Sequence, residues 1–170
     1  VAGLTSVNYR AEPYKFREEQ GCSIGKIFQP CAVDKPEDPV TPLIEAHAGD
    51  AVRIHVIGAN SEQNGMFGVE GHEWPIEPYM PGADQISVVE YAGSETLDVF
   101  LRGGAGGPYR QVGDFVWSNA RLPYTQSGQW GYLRVLPAGD SRIQPLGTHG
   151  MGAKQAEVEP AVKAIPTAMK

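Results

Sequence analysis

From residue 43 to residue 136, apolar residues come in short runs that glycine, proline or a polar turn interrupts at intervals of about ten residues. Runs this short cannot build a helical bundle, whose apolar positions must recur at i, i+3 and i+4 over about ten residues or more. They predict strands. LIEAHAGDAVRIHVIGA (43–59) reads as two strands about a Gly49-Asp50 turn. In the second, Val52, Ile54 and Val56 alternate with Arg53 and His55, which puts His55 on the wetter face. GMFGVEGHEWP (65–75) alternates again and stops at Pro75. QISVVEYA (85–92) and ETLDVFLR (95–102) flank Gly93-Ser94, with Leu97, Val99 and Leu101 facing one way. GGAGGP (103–108) breaks the chain, and DFVWS and WGYLRVL supply two more strands. With SVNYR (6–10) as a first strand, the expectation is an all-β Greek-key sandwich of about seven or eight strands.

The 21 Gly and 14 Pro among 170 residues suit a fold of many turns, and this length suits one domain with extensions. Residues 1–42 hold the first strand, a polar connection through AEPYKFREEQ, a cysteine-containing loop and the proline-rich DKPEDPVTP. Residues 43–137 form the main part of the sandwich. Residues 138–170 are rich in Gly, Ala and Pro without a sustained period and read as an extended tail lying along its own domain or another chain, with a short helical turn around AEVEPAVKA. Cys22 and Cys31 enclose SIGKIFQP, which contains Gly25 and Pro30 and could bend into a disulfide, as an oxidising, exported setting would favour; two buried free thiols are the competing reading. No second Cys pair or Cys/His cluster accompanies them, so structural zinc is poorly supported.

Charge excludes one class of partner. With 14 basic against 20 acidic residues, a net charge of −6 and no Lys/Arg stripe, nucleic acid is not expected. No apolar run is long enough for a membrane span, and no charged-then-apolar leader opens the chain, which suggests a removed leader or a segment of something longer. GGAGGP lacks the Gly-Lys-Ser/Thr ending of a phosphate cradle, and no G-x-S-x-G elbow supports hydrolysis. The histidines are His47, His55, His72 and His149. EGHEWPIEP sets His72 among Glu70, Glu73 and Glu77, and strand alternation would bring Glu70 and His72 to one face as weak metal candidates. The plainer reading is a hydrogen-bonded or surface histidine beside a buried Trp74.

SVNYRAEP, TPLIEAHAGDAVRIHVIGANSEQNGMFGVEGHEWPIEP and GDFVWSNARLPYTQSGQWGYLRVLP, taken together over residues 4–137, resemble a cupredoxin domain of the multicopper oxidases, of the bacterial manganese-oxidising kind. In copper-bearing domains of that family the last loop reads H-C-H-x-x-x-H-x-x-x-G-M. Aligned on Gly128, the ligand positions fall on Ser118, Asn119, Ala120, Tyr124 and Gln129, none of them a ligand of the family's type. The family's earlier H-x-H falls on Gly68 and Glu70. A blue copper site needs a thiolate, which Asn119 cannot supply. Trp117, Pro123, Gly128 and Trp130-Gly131-Tyr132 keep the frame, with aromatics filling the end where copper ligands would sit.

The resemblance implies a scaffold or interface domain with no catalytic residue and no cofactor in this chain, copper in the parent assembly, and copper-bearing cupredoxin domains or subunits as partners. Self-association into a homo-oligomer is left open, and the compartment is expected to be periplasmic, cell-surface or extracellular. A rival is an exported module gripping a metal ion or glycan through Glu70, His72, Glu73, Trp74 and Glu77. A third reading is a redox enzyme holding copper at an interface.

Overall fold

A computed structural model describes residues 6–28, 38–59 and 63–143. They form an all-β sandwich as expected. The main strands are β1 (Ile44–His47), β2 (Arg53–Ile57), β3 (Gly65–Val69), β6 (Val88–Tyr91), β7 (Thr96–Phe100), β8 (Gly113–Asn119) and β9 (Trp130–Leu136), with two-residue β4 (Trp74–Pro75) and β5 (Gln85–Ile86). One sheet runs β1-β9-β8-β3-β6, and β2-β7 is a separate ribbon. β8 and β9 are antiparallel neighbours, whereas β1 joins β9 in parallel, Ile44 opposite Leu133.

The alternation that defined the strands also defines the core. Ile54, Val56, Leu97 and Val99 of the ribbon pack with Ala46, Val69, Trp117, Leu133 and Val135 of the large sheet. A ribbon of two strands covers five only in part. The glycine-rich turn completes the cover: Leu101 and Ala105 join the same core, and Ala105 N–H donates to Asp50 O at 2.8 Å.

The large sheet is covered on its other face as well, which the sequence reading did not anticipate. Val116, Trp130 and Tyr132 point away from the first core and pack with Cys22, Ile27, Phe28, Tyr14 and Leu43. A one-and-a-half-turn helix α1 (Tyr14–Glu19) lies in the segment expected to be a polar connection. Its Arg17 is buried, contacts Glu12 at 3.9 Å and sits over the Trp130 ring at 5.4 Å. The indole N–H of Trp130 donates to Glu12 O at 2.7 Å. SVNYR is no strand: only a bridge joins Val7 to Arg10, across a tight turn with Asn8 and Tyr9 at positive φ. Cys22 is buried and carries no free thiol, while Cys31, like His149 and the tail from residue 144, lies outside the described residues.

Arg134 ties the entry of this cap to the sheet, donating to Asp38 Oδ1 at 2.6 Å and to Asp114 Oδ1 at 2.8 Å. Its hydrogen bond holds the Asp38 carboxyl below the usual 3.8. A carboxyl with a depressed folded-state pKa stabilises the fold above its unfolded value, and that contribution disappears as pH falls from there through the lower folded value. Solvent screening limits it to about 1 kcal/mol or less. Stability followed by chemical denaturation should therefore decline below pH 3.8, and Arg134→Gln should flatten that decline. An unchanged acid limb in the variant would deny the tie.

A second expectation concerns close approach. A Cβ on Gly131 would lie 2.3 Å from a ring carbon of Trp117 and 3.0 Å from Thr41 Oγ1. Because the core cannot absorb an extra methyl there without moving the indole, Gly131→Ala should cost about 1–3 kcal/mol. A urea midpoint equal to that of the parent chain would show that the indole has room to move.

Candidate functional site

Strands β3 and β8 bring the candidate positions together at one end of the large sheet. Gly68 stands opposite Ser118 and Phe67 opposite Asn119. A short helix α2 (Leu122–Gln126) then turns the chain back into β9. Pro123 lies in its first turn, where a missing N–H costs nothing. Ala120, exposed, donates its N–H to Met66 O at 2.7 Å.

Asn119 is buried at the centre of this loop. Its side-chain Oδ1 accepts from the backbone N–H groups of Met66 and Arg121, each at 3.1 Å. Its Nδ2 donates to Oε1 of Gln129 at 2.7 Å. Its backbone N–H donates to Gln129 O at 2.9 Å, and its carbonyl accepts from the Thr125 hydroxyl. Gln129 N–H closes the circuit on Tyr124 O at 3.0 Å. The two residues that the resemblance aligns with the thiolate and axial thioether positions are thus bonded to one another, and the Asn119 amide oxygen is taken up by two backbone N–H groups.

Aromatic and polar side chains shut the remaining approach. Tyr124 is buried, and the Arg121 guanidinium lies 5.2 Å above its ring while donating to Asn64 O at 2.6 Å and Gln63 Oε1 at 2.8 Å. Burial first and Tyr124 second push the neighbouring Tyr91 phenol up. Gly128 is needed twice over: its φ is 109°, and a Cβ there would lie 2.5 Å from the Glu12 N–H nitrogen. Glu12, Arg121 and Thr125 are positions that sequence reasoning missed; Glu12 and Arg121 bond partners 118 and 57 positions away, beyond any local pattern, whereas Thr125 acts within its own loop.

His72 belongs to a different region. Glu70 and Gly71 form a turn after β3 instead of continuing the strand, so the expected shared face of Glu70 and His72 does not form. Glu70 is exposed, whereas His72 is buried and edge-on to Phe115 at 4.7 Å. Its Nδ1 donates to Glu70 O at 2.8 Å, and its Nε2 accepts from Gly106 N–H at 3.0 Å. Both ring nitrogens are occupied, and the second bond pins the glycine-rich turn. Glu73 pairs with Arg102 at 2.5 Å, Trp74 is buried, and Glu77 is exposed on the following loop, so these residues do not converge. His47 Nε2 contacts Asp140 O at 2.8 Å and His55 sits on the outer face of β2.

Copper does not fit this donor set. The side chains at the positions that the resemblance assigns to sulfur ligands are the amides Asn119 and Gln129, and among the described residues there is no group of three or more His, Cys, Asp or Glu side chains able to hold a metal ion. Among the described residues no helix is long and apolar enough to cross a membrane.

No family model and no curated protein matches the sequence. Solved structures similar to it include a multicopper oxidase crystal structure, 16% identical with a TM-score of 0.45, covering 55% of this chain and 32% of that one. Another is the multicopper oxidase mgLAC, 16% identical with a TM-score of 0.47, covering 62% of this chain and 35% of that one. The chain therefore spans about a third of the length of these structures.

The amide pair yields a quantitative expectation. Asn119→Leu keeps the size but strands two backbone N–H groups, and should cost about 1–3 kcal/mol. Combining it with Gln129→Leu should cost less than the sum, with a coupling of about 1 kcal/mol in a double-mutant cycle read by denaturant unfolding. Strict additivity would mean that the two amides act independently.

Proposed function

We propose that this chain is a copper-free cupredoxin-like domain that serves as scaffold and interface within a multicopper oxidase assembly, with residues 43–137 as its sandwich. The observation that carries this reading is the direct hydrogen bond of 2.7 Å between Asn119 and Gln129. Where the resemblance assigns a thiolate and a thioether to copper, this chain has two amides hydrogen-bonded to one another. Electrons would then travel through copper-bearing partner domains of the bacterial manganese-oxidising type, in an exported compartment that also suits the Cys22 and Cys31 pairing.

The geometry supports this reading over a module built on Glu70, His72, Glu73, Trp74 and Glu77. A metal at His72 Nε2 would have to break the bond from Gly106 and reach a buried ring. Glu70, Glu73 and Glu77 point to separate places and do not form one site with His72 and Trp74.

Metal analysis tests the proposal. The chain, incubated with cuprous and cupric salts and then desalted, should retain no stoichiometric copper and show no intense thiolate-to-copper absorption in the visible. One tightly held copper per chain with a blue spectrum would overturn it. Titration with manganese and calcium should likewise show no saturable binding that His72→Ala removes.

A further inference from the structure

A groove of about 490 Å³ lies between the β2-β7 ribbon and the loop after β4, with the outer-face residues of the ribbon at its mouth and Leu97, Val89 and Trp74 of the core side at its inner end. This volume lies in the range of small-ligand sites, about 300–1,000 Å³. Its floor consists of two cross-strand pairs, His55 opposite Asp98 and Ile57 opposite Thr96. Its wall is the loop that follows β4, with Ile76 and Tyr79. Ile57, Ile76 and Tyr79 are 70%, 57% and 75% exposed, an unusual concentration of apolar surface around a polar floor.

The polar groups hold each other in place. Asp98 Oδ1 lies 2.5 Å from His55 Nδ1, and Oδ2 accepts from Arg53 Nη2 at 2.6 Å and from the Tyr79 hydroxyl at 3.3 Å. The Tyr79 ring packs edge-on to Phe100 at 5.7 Å, which joins the wall to the ribbon. Both carboxylate oxygens are engaged, so a metal cation would have to displace Arg53 or His55. An anion would meet the carboxylate itself. What suits the floor is a neutral ligand that both donates and accepts hydrogen bonds and also has an apolar face.

We propose that this groove binds a neutral saccharide. One face of a sugar ring packs on Tyr79 and Ile76, while its hydroxyls exchange hydrogen bonds with His55 Nε2, the Thr96 hydroxyl and the remaining lone pair of Asp98. The polar groups are side chains on the face of the ribbon, not backbone groups on its edge, which favours a flat ring over an extended peptide strand. The proposal does not depend on the scaffold reading.

The test is amide chemical-shift perturbation of the full chain titrated with neutral oligosaccharides built of glucose, xylose, mannose or N-acetylglucosamine. At least one should give saturable shifts confined to residues 53–57, 76–80 and 96–100. Tyr79→Ala should weaken that binding tenfold or more without moving the unfolding midpoint, since the side chain is exposed, and Tyr79→Phe should retain most of it. The proposal is overturned if none of the sugars gives saturable shifts, if Tyr79→Ala binds as tightly as the parent, or if only a neutral extended peptide perturbs these residues.

Discussion

Strand β9 is buried on both faces, and most of the structure is arranged to make that so. Trp130 and Tyr132 face the N-terminal cap while Leu133 and Val135 face the ribbon. A central strand of this kind reads as a nearly continuous apolar run, WGYLRVL, because neither face meets water. The one interior polar position, Arg134, reaches the rim and is held there by two carboxylates. Burying an indole of this size costs an N–H its water, and Glu12 O makes good the loss. That bond and the Glu12 N–H donation to Gly128 O at 3.2 Å hold residues 11–13 across the loop, which excludes any side chain at position 128.

The strands were legible because sheet burial imposes a period of two on nearby residues, and β2 and β7 show it plainly: Ile54, Val56, Leu97 and Val99 inward, Arg53 and His55 outward. The cap was not legible. A helix of six residues is too short to show a 3.6-residue period, and its one fully buried residue is a charged Arg17. The turn at Asn8 and Tyr9 also ran against expectation, since two consecutive non-glycine residues at positive φ carry no strong local signature.

For the site, the loop frame could be read from spacing, but the fate of its side chains could not. Sequence marks Asn119 and Gln129 as non-ligands; only coordinates show that they bond to each other. His72 illustrates the reverse difficulty. Alternation carried it onto a strand face with Glu70, yet the chain leaves the strand at Val69, and the imidazole turns inward to brace Gly106. A histidine flanked by carboxylates looks like a ligand until both nitrogens are accounted for.

The chemistry of position 119 follows from the backbone around it more than from the absence of a metal. Two part-buried amide N–H groups, of Met66 and Arg121, converge on this side chain. An occupant that accepts both is favoured, because leaving a shielded N–H unbonded costs up to about 1–3 kcal/mol. A thiolate can accept such bonds, and so can a carboxamide oxygen, whereas leucine or valine of similar volume cannot. An amide also brings an N–H pair that must itself be satisfied, and Gln129 supplies the acceptor. Asparagine at 119 is thus matched by a polar partner at 129, and the loop is held in one geometry by hydrogen bonds between its own side chains and backbone.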